Sequence, residues 1–371
     1  MAILSRPRLA VLVSFSGQGG VERMIANLTS AMLDFDIDLD LLLIKKRGPH
    51  ADALPGDARH IELRSQHSAT SVFEVAKYLR KERPTALLAV KHRSILAALR
   101  ARTLAGTDTP VSGRLGTNVT AALAGGSWLR RAMWYRAMRR FYPRLHRIIA
   151  VSEGVAQDIA QVTGVSAPQL CVIRNPVVTP KLLELAAVPL DLPAGLDTNR
   201  PIIVGAGRLT RQKDFPTLLT AFSRLTLPTQ PQLVILGEGE DRMALEAQAE
   251  QMGIAQRTFF PGFQQNPWNW MRMANVFVLS SLWEGSPNSL TEAMALDTPV
   301  VSTNCPSGPK ELLQGGELAP LLTMGDSDAM AKAISAQLTD PPPSGVLQAA
   351  VNAYHAPASA HAYLKAMGLL E

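Results

Sequence analysis

Two glutamates, Glu284 and Glu292, frame the small and polar stretch Gly285-Ser286-Pro287-Asn288-Ser289. An apolar run, Val276 to Leu279, precedes it and a second, Thr298 to Ser302, follows, so it reads as a loop and helix start between two strands. Backbone N–H groups in such a loop and first helical turn lack intrahelical partners, which suits a phosphate. A carboxylate repels phosphate. Glu284 and Glu292 are therefore expected to accept hydrogen bonds from hydroxyls on either side of it. A nucleotide sugar has that layout, with sugar hydroxyls at one end, a diphosphate in the middle and a ribose diol at the other. The plainer reading is a strand–loop–helix joint with a glutamate favoured by the helix dipole, since short motifs recur by chance.

A second charged set precedes it. The run Ile202-Ile203-Val204-Gly205-Ala206-Gly207-Arg208-Leu209 is a strand entering a glycine turn, and Arg211-Gln212-Lys213 leads into a helix from Pro216. Arg208 and Lys213 lie on this one loop, where both can reach one diphosphate, Arg by its fork and Lys as a compact charge.

The first half offers further candidates. Leu9 to Val13 is a buried-strand pattern ending in Ser16-Gly17-Gln18-Gly19-Gly20-Val21-Glu22, either a backbone approach for a ligand at Gly20 or only a tight turn. Ala86 to Val90 is a strand closing at Lys91-His92-Arg93, and Pro110 to Ser112 opens another that closes at Arg114 to Asn118. In open α/β sheets the ligand crevice lies beyond the strands' carboxyl ends. That makes His92, Arg114 and Asn118 acceptor-side candidates, against solvated loop residues as the alternative.

Ser127 to Arg147 holds seven arginines, five aromatics and no acid. Trp134, Met138 and Phe141 share one helical face, and Pro143 should end or kink the helix. Basic helices carrying aromatics lie in anionic lipid interfaces, so Arg130, Arg131, Trp134, Arg139 and Arg140 are membrane-contact candidates. The alternative is an ordinary helix packed by its aromatics, with its arginines in water.

The elements that must hold these residues alternate strand and helix through both halves, which predicts α/β units with parallel sheets. At 371 residues the chain fits two domains, and 47% hydrophobic with 18% charged residues is a globular composition. Residues Thr179 to Asn199 read as the linker. No apolar run approaches the ~20 residues of a membrane span, and the N-terminus shows no signal-peptide pattern. Cys171 and Cys305 lack metal-like spacing, so a reducing cytoplasm is expected, with both as packing residues. The net charge of +6 is uneven: residues 1–180 hold 25 Lys and Arg against 13 Asp and Glu, while residues 181–371 hold 12 against 18. An anionic partner of the first half follows.

Taken together, Gly19-Gly20-Val21-Glu22, Val204 to Leu209 with Lys213, Leu236-Gly237-Glu238-Gly239, Phe260-Pro261-Gly262-Phe263, Glu284 to Glu292, and Pro299 to Thr303 with Gly308-Pro309-Lys310-Glu311 resemble glycosyltransferase family 4. The resemblance runs in the family's order over nearly the whole chain. It implies the GT-B fold, two facing Rossmann-like domains with parallel sheets and a cleft between them: 1–178 acceptor-binding, 179–200 linker, 201–345 nucleotide-sugar-binding, and a helical segment 346–371 packing back on the first. It implies a retaining transferase that moves a hexosyl or N-acetylhexosaminyl group, from a UDP-sugar in preference to a GDP-sugar, to a saccharide or lipid-linked saccharide of a bacterial surface glycan. Arg208 and Lys213 would stabilise the leaving diphosphate. Glu284 would hold donor-sugar hydroxyls. Gly20 and Gly285 to Ser289 would approach sugar and phosphate, Glu292 would bind the ribose diol, and Gly262 with Phe263 would border the base. No cofactor or metal is implied.

One departure stands out. Many members carry a histidine where this chain has Gly113-Arg114-Leu115-Gly116-Thr117-Asn118, and Arg114 or Asn118 is the expected substitute. The leading reading is a cytoplasmic glycosyltransferase whose Ser127–Arg147 helix, in the basic first half, rests on the cytoplasmic face of the inner membrane, with no nucleic-acid partner. Two other readings stay open: a nucleotide-sugar 2-epimerase of the same fold, and a non-catalytic protein that binds anionic surfaces and keeps a vestigial site.

Overall fold

In the computed structural model, which describes residues 6–15, 20–48 and 50–370, the chain forms two compact units. One comprises Met1–Pro176 with His355–Glu371, the other Val177–Tyr354.

The first unit runs β1 (Arg8–Phe15), α1 (Gly20–Met32), β2 (Asp38–Lys46), β3 (Arg59–Glu62), α2 (Val72–Glu82), β4 (Ala86–Val90), α3 (His92–Ala105), β5 (Val111–Leu115), α4 (Val119–Leu123), α5 (Trp128–Phe141), β6 (Ile148–Ala150), α6 (Glu153–Thr163) and β7 (Leu170–Val172). Its seven strands pair in parallel in the order β3-β2-β1-β4-β5-β6-β7. Helices cover both faces, so every second residue of a strand serves a different core. In β1, Ala10 and Leu12 join the cluster under α2, α3, α5 and α6. Leu9, Val11 and Val13 join the cluster under α1. By the same rule β2 is buried on both faces, from Leu39 to Ile44.

The second unit runs α7 (Pro180–Ala186), β8 (Ile202–Ala206), α8 (Phe215–Ser223), β9 (Gln232–Leu236), α9 (Arg242–Gln251), β10 (Thr258–Gly262), α10 (Trp268–Met273), β11 (Val276–Leu279), α11 (Asn288–Ala295), β12 (Val300–Thr303), α12 (Pro309–Leu312), β13 (Leu321–Leu322), α13 (Ser327–Thr339) and α14 (Val346–Ala350). Its sheet is parallel in the order β10-β9-β8-β11-β12-β13. Residues 179–200, read above as a linker, hold α7. The Thr179 hydroxyl caps α7 by accepting from the Leu182 N–H at 3.2 Å, and Leu182 and Ala186 enter the second unit's core. The terminal segment is split as well. Leu347 of α14 belongs to the second core, and only α15 (Ala356–Ala366) returns to the first unit, where Ala360, Tyr363 and Leu364 pack beside α1.

Each sheet reverses its strand order once, between β1 and β4 in the first unit and between β8 and β11 in the second. The loops leaving those strands flank the crevice where ligands bind in open α/β sheets. Beyond β8 stand Arg208 and Lys213, and beyond β11 stands Glu284.

Candidate active site

Short polar bonds tie the loops after β8 and β11 together. Gln212 Nε2 donates to the Trp283 carbonyl at 2.8 Å, and the Leu282 N–H donates to the Gln212 carbonyl at 2.8 Å. The Ser280 hydroxyl adds a bond to the Lys213 carbonyl at 2.6 Å. Held this way, Lys213 Nζ lies 2.6 Å from Glu284 Oε1, and both side chains are largely shielded from solvent. The buried Ser281 hydroxyl donates to the same carboxylate oxygen at 2.8 Å. Ser281 is held in turn by Thr303 of β12, whose hydroxyl donates to the Ser281 carbonyl at 2.6 Å. Beside this cluster the Cys305 thiol is pushed up to about 12, first by burial and then by the Glu284 charge.

Glycines make room for the cation. A Cβ on Gly207 would lie 2.7 Å from Lys213 Cε and 3.0 Å from its Cγ and Cδ, so the lysine stem runs directly across that backbone. The loop after β9 backs the same turn. Gly237, at φ +133°, leaves no room for a Cβ, which would sit 1.9 Å from the Gly207 carbonyl oxygen. The Leu209 N–H donates to the Glu238 carbonyl at 2.9 Å, and the Gly237 N–H to Gly262 at 2.9 Å. Gly262 is at φ +81°, and a Cβ there would meet Glu238 Oε1. Three strand-end loops thus stack in register, with half-buried Phe263 following the last. Arg208 is exposed on the first loop, and its guanidinium makes no hydrogen bond or ion pair among the described residues.

Helix α11 starts at Asn288, and Pro287, the residue before it, offers no side-chain cap. Near that start the buried Ser286 hydroxyl has no partner among the described residues. Gly308, at φ +103°, packs against this loop, where a Cβ would meet Pro287 Cδ at 2.6 Å and the Gly285 carbonyl at 3.1 Å. Glu292 lies one turn into α11 and is only 2% exposed. Sequence reasoning passed over Ser281, Gln212 and Thr303 as site residues. The one available signal was the small polar pair Ser280-Ser281 closing an otherwise apolar strand.

In the first unit the candidates part ways. Gly20 opens α1, while Gly19 and the rest of that glycine loop lie outside the described residues. Behind it, buried Glu22 accepts from Lys91 Nζ at 2.8 Å. Lys91 itself is held at φ +74°, a strained conformation for a side-chain-bearing residue. His92 is no loop residue; it opens α3 and is buried, with Nδ1 2.9 Å from the Tyr142 hydroxyl. Its ring stacks on Trp134 at 4.3 Å, and burial, helped by Arg93, lowers its pKa to about 4. Arg114, expected to stand in for the family histidine, lies inside β5 and is 2% exposed. Its Nη2 donates to Asn175 Oδ1 at 2.7 Å and the buried Tyr363 side chain of α15 is a polar neighbour, so the guanidinium is spent on internal contacts. Asn118 caps α4, its side chain accepting from the Ala121 N–H at 2.9 Å.

Helix α5 also needs correction. The face carrying Trp134, Met138 and Phe141, expected toward lipid, packs on the first unit's core, and Met138 is fully buried. Arg139 Nε donates to the Val162 carbonyl at 2.9 Å. Arg130, Arg131 and Arg140 are exposed. The helix ends at Phe141, just ahead of Pro143.

Two family models between them match most of the chain: Glycosyltransferase Family 4 over residues 18–180 and Glycosyl transferases group 1 over residues 193–353. Among curated relatives, an uncharacterized glycosyltransferase of Methanocaldococcus jannaschii is 35% identical over 144 residues, 38% of this chain and 36% of that one. The lipopolysaccharide core biosynthesis glycosyltransferase LpsE of Rhizobium meliloti is 26% identical over 88% of this chain and 87% of its own length. Among solved structures, HepE of Anabaena in complex with UDP and glucose superposes with a TM-score of 0.79 at 18% identity, over 98% of this chain and 99% of that one, a likeness of fold.

Proposed function

The chain belongs to the family 4 glycosyltransferases, and we propose that it is a retaining enzyme moving a hexosyl or N-acetylhexosaminyl group from a UDP-sugar to a saccharide or lipid-linked saccharide in surface-glycan synthesis. The observation that carries this reading is the Lys213–Glu284 pair at 2.6 Å, on the two loops that also carry the exposed Arg208 and lead into α11. The core-biosynthesis role of the Rhizobium relative supports a surface-glycan acceptor, and the UDP and glucose held by HepE support the donor.

In this reading the donor diphosphate takes Lys213 from Glu284 and adds Arg208. The released carboxylate, still held by Ser281, accepts bonds from donor-sugar hydroxyls. Backbone N–H groups at the start of α11 and the Ser286 hydroxyl receive phosphate oxygens. Glu292 takes the ribose diol, and Gly262 with Phe263 borders the base. The bond from the sugar's anomeric carbon to the diphosphate breaks as the acceptor hydroxyl oxygen bonds that carbon on the same face. The acceptor's proton passes to the departing diphosphate oxygen. Positive charge fixed at Arg208 and Lys213 stabilises the developing negative charge, the term that weighs most in such reactions. We assign the reaction to the cytoplasm and expect it to proceed without metal.

The test is nucleoside diphosphate release from UDP-, GDP- and ADP-sugars, with and without a bacterial lipid extract. Release from one donor, lost in Glu292→Ala, supports the reading. Silence from every donor, with no donor binding, overturns it, and a product still linked to nucleotide marks an epimerase.

A further inference from the structure

Each sheet carries a lysine–glutamate pair at the point where its strand order reverses. In the second unit it is Lys213 with Glu284. In the first, Glu22 stands in the opening turn of α1, after β1, and Lys91 follows β4, with Lys91 Nζ 2.8 Å from Glu22 Oε1. No step of the transfer reaction uses this first pair. Its two members differ in exposure: the Glu22 side chain is 6% exposed and that of Lys91 41%. The carboxylate is closed off and the ammonium stays reachable.

Lys91 adopts φ +74° and ψ 149°. Arg83 and Asp214, also at positive φ, lie in the left-handed helical well, with ψ 57° and 45°. Lys91 lies outside that well, in a region that glycine enters freely and a residue with a Cβ does not. Its backbone is held on both sides. The Lys91 N–H donates to the Arg114 carbonyl at 3.2 Å, and its carbonyl accepts from the Ile95 N–H at 3.1 Å. Glycine would make both bonds without strain, so what lysine adds is the ammonium. Of its three N–H donors, one goes to Glu22 among the described residues, which leaves two. The surroundings are cationic as well. The chain leaving β2 reads Lys45-Lys46-Arg47, and the Arg47 N–H donates to the Phe15 carbonyl at the end of β1 at 3.1 Å. Half-buried His50 lies within electrostatic reach of Arg23 as well as Glu22. Glu22 is matched by Lys91 and Glu62 by Lys46, so positive charge is in excess among these residues.

Building on the transferase reading of this chain, we propose that Lys91 selects an acceptor saccharide that carries an oxyanion, a phosphate or a carboxylate, and that Glu22 is its positioning residue. Glu22 takes one ammonium N–H and fixes the long side chain. The two remaining N–H groups then meet the oxyanion with little rotamer freedom left to lose. Strained backbone of this kind collects at ligand clamps, where the surrounding bonds hold a side chain on its target. Charge decides the occupant. A neutral saccharide offers Lys91 hydroxyls that serve it no better than water, whereas an oxyanion gains charge-assisted bonds. A cationic group would meet Lys91, Arg23 and the basic run after β2.

Calorimetric titration of the full chain tests it, with methyl glucoside, methyl glucuronide and a glucose phosphate monoester as probes and UDP present to fill the donor site. The wild type should bind a charged probe about tenfold or more tighter than methyl glucoside. Which charged probe binds better tells a carboxylate from a phosphate. Lys91→Met and Lys91→Gly should erase the preference and leave UDP affinity unchanged. Glu22→Gln, which still accepts a hydrogen bond, should keep part of it. Lys91→Gly combined with Glu22→Gln removes the strain together with both charges, so it should melt at or above the wild-type temperature and show no preference. Equal binding of charged and neutral probes by the wild type, or a preference that survives in Lys91→Gly, would overturn the proposal. A double variant that melts well below the wild type would also overturn it, by making the pair a brace of the fold. Loss of UDP affinity in the Lys91 variants would do so too, by moving Lys91 to the donor. Absence of UDP binding in the wild type would instead sink the transferase reading, because the charged-probe preference and its dependence on Lys91 are read without turnover.

Discussion

Lys213 and Glu284 stand 71 positions apart in sequence, and their charged atoms meet at 2.6 Å across the point where the second sheet reverses its strand order. Neither is a core residue, yet both are shielded from solvent, so each charge depends on the other. The pair is a resting arrangement that a diphosphate competes with, and the competition couples phosphate binding to sugar binding.

Lys213→Ala should therefore reduce turnover by about 10²–10³. It should also destabilise the empty protein by about 1–3 kcal/mol, because the Glu284 carboxylate is left with Ser281 alone. Adding Glu284→Gln should restore much of the stability and none of the activity. Thermal melts and initial rates on the four-member cycle check both halves.

Two glycines separate positioning from folding. In Gly207→Ala the nearest atoms to the new methyl are those of the flexible Lys213 stem, so the melting temperature should hold while donor KM rises or kcat falls about tenfold or more. In Gly237→Ala the methyl meets backbone at a φ of +133°, and the cost should exceed about 3 kcal/mol. Equal destabilisation in the two variants would contradict this division.

How far the sequence could be read follows the same line. Strands such as Ala86–Val90 and Val276–Leu279 keep the bounds expected of them, because a buried parallel strand is a continuous apolar run ended by glycine or a polar loop. Lys213 and Glu284 could be picked out as chemistry, but not as partners, since their contact depends on strand order. Arg114 and His92 were misread for the opposite reason. Polar residues at strand ends look exposed, yet Arg114 is turned inward by Asn175 and His92 is roofed by Trp134. The α5 aromatics misled in the same way. Periodicity identifies a face and says nothing of whether protein or lipid covers it.

Ser281→Ala should act through Glu284. The hydroxyl donates to Glu284 Oε1 and touches no other assigned ligand group, so its loss should lower kcat/KM for sugar transfer about tenfold and leave affinity for the free nucleoside diphosphate nearly unchanged. Calorimetry of UDP beside steady-state rates checks the split. Ser281→Thr, which keeps a hydroxyl, should recover part of the loss.

His92 gives the first unit a pH signature. Its pKa is lowered from 6.5 to about 4 in the folded state, so the unfolded chain binds the proton first as pH falls. The stability from keeping it neutral is complete above pH 6.5 and is lost between there and pH 4, about 3 kcal/mol at most. Melting temperatures of His92→Phe, which keeps a ring against Trp134, should fall less over that interval than those of the wild type.

The most direct measurement follows labelled sugar from a UDP-sugar into a lipid-extract acceptor, comparing the wild type with Lys213→Ala, Arg208→Ala and Glu284→Gln. The expected result is a labelled glycoside made by the wild type, lost about a hundredfold or more in Lys213→Ala and Glu284→Gln, with each variant still folded. Label that stays on the nucleotide, or a glycoside that forms equally well without Lys213 and Glu284, would contradict the assignment of this pair as the centre of the reaction.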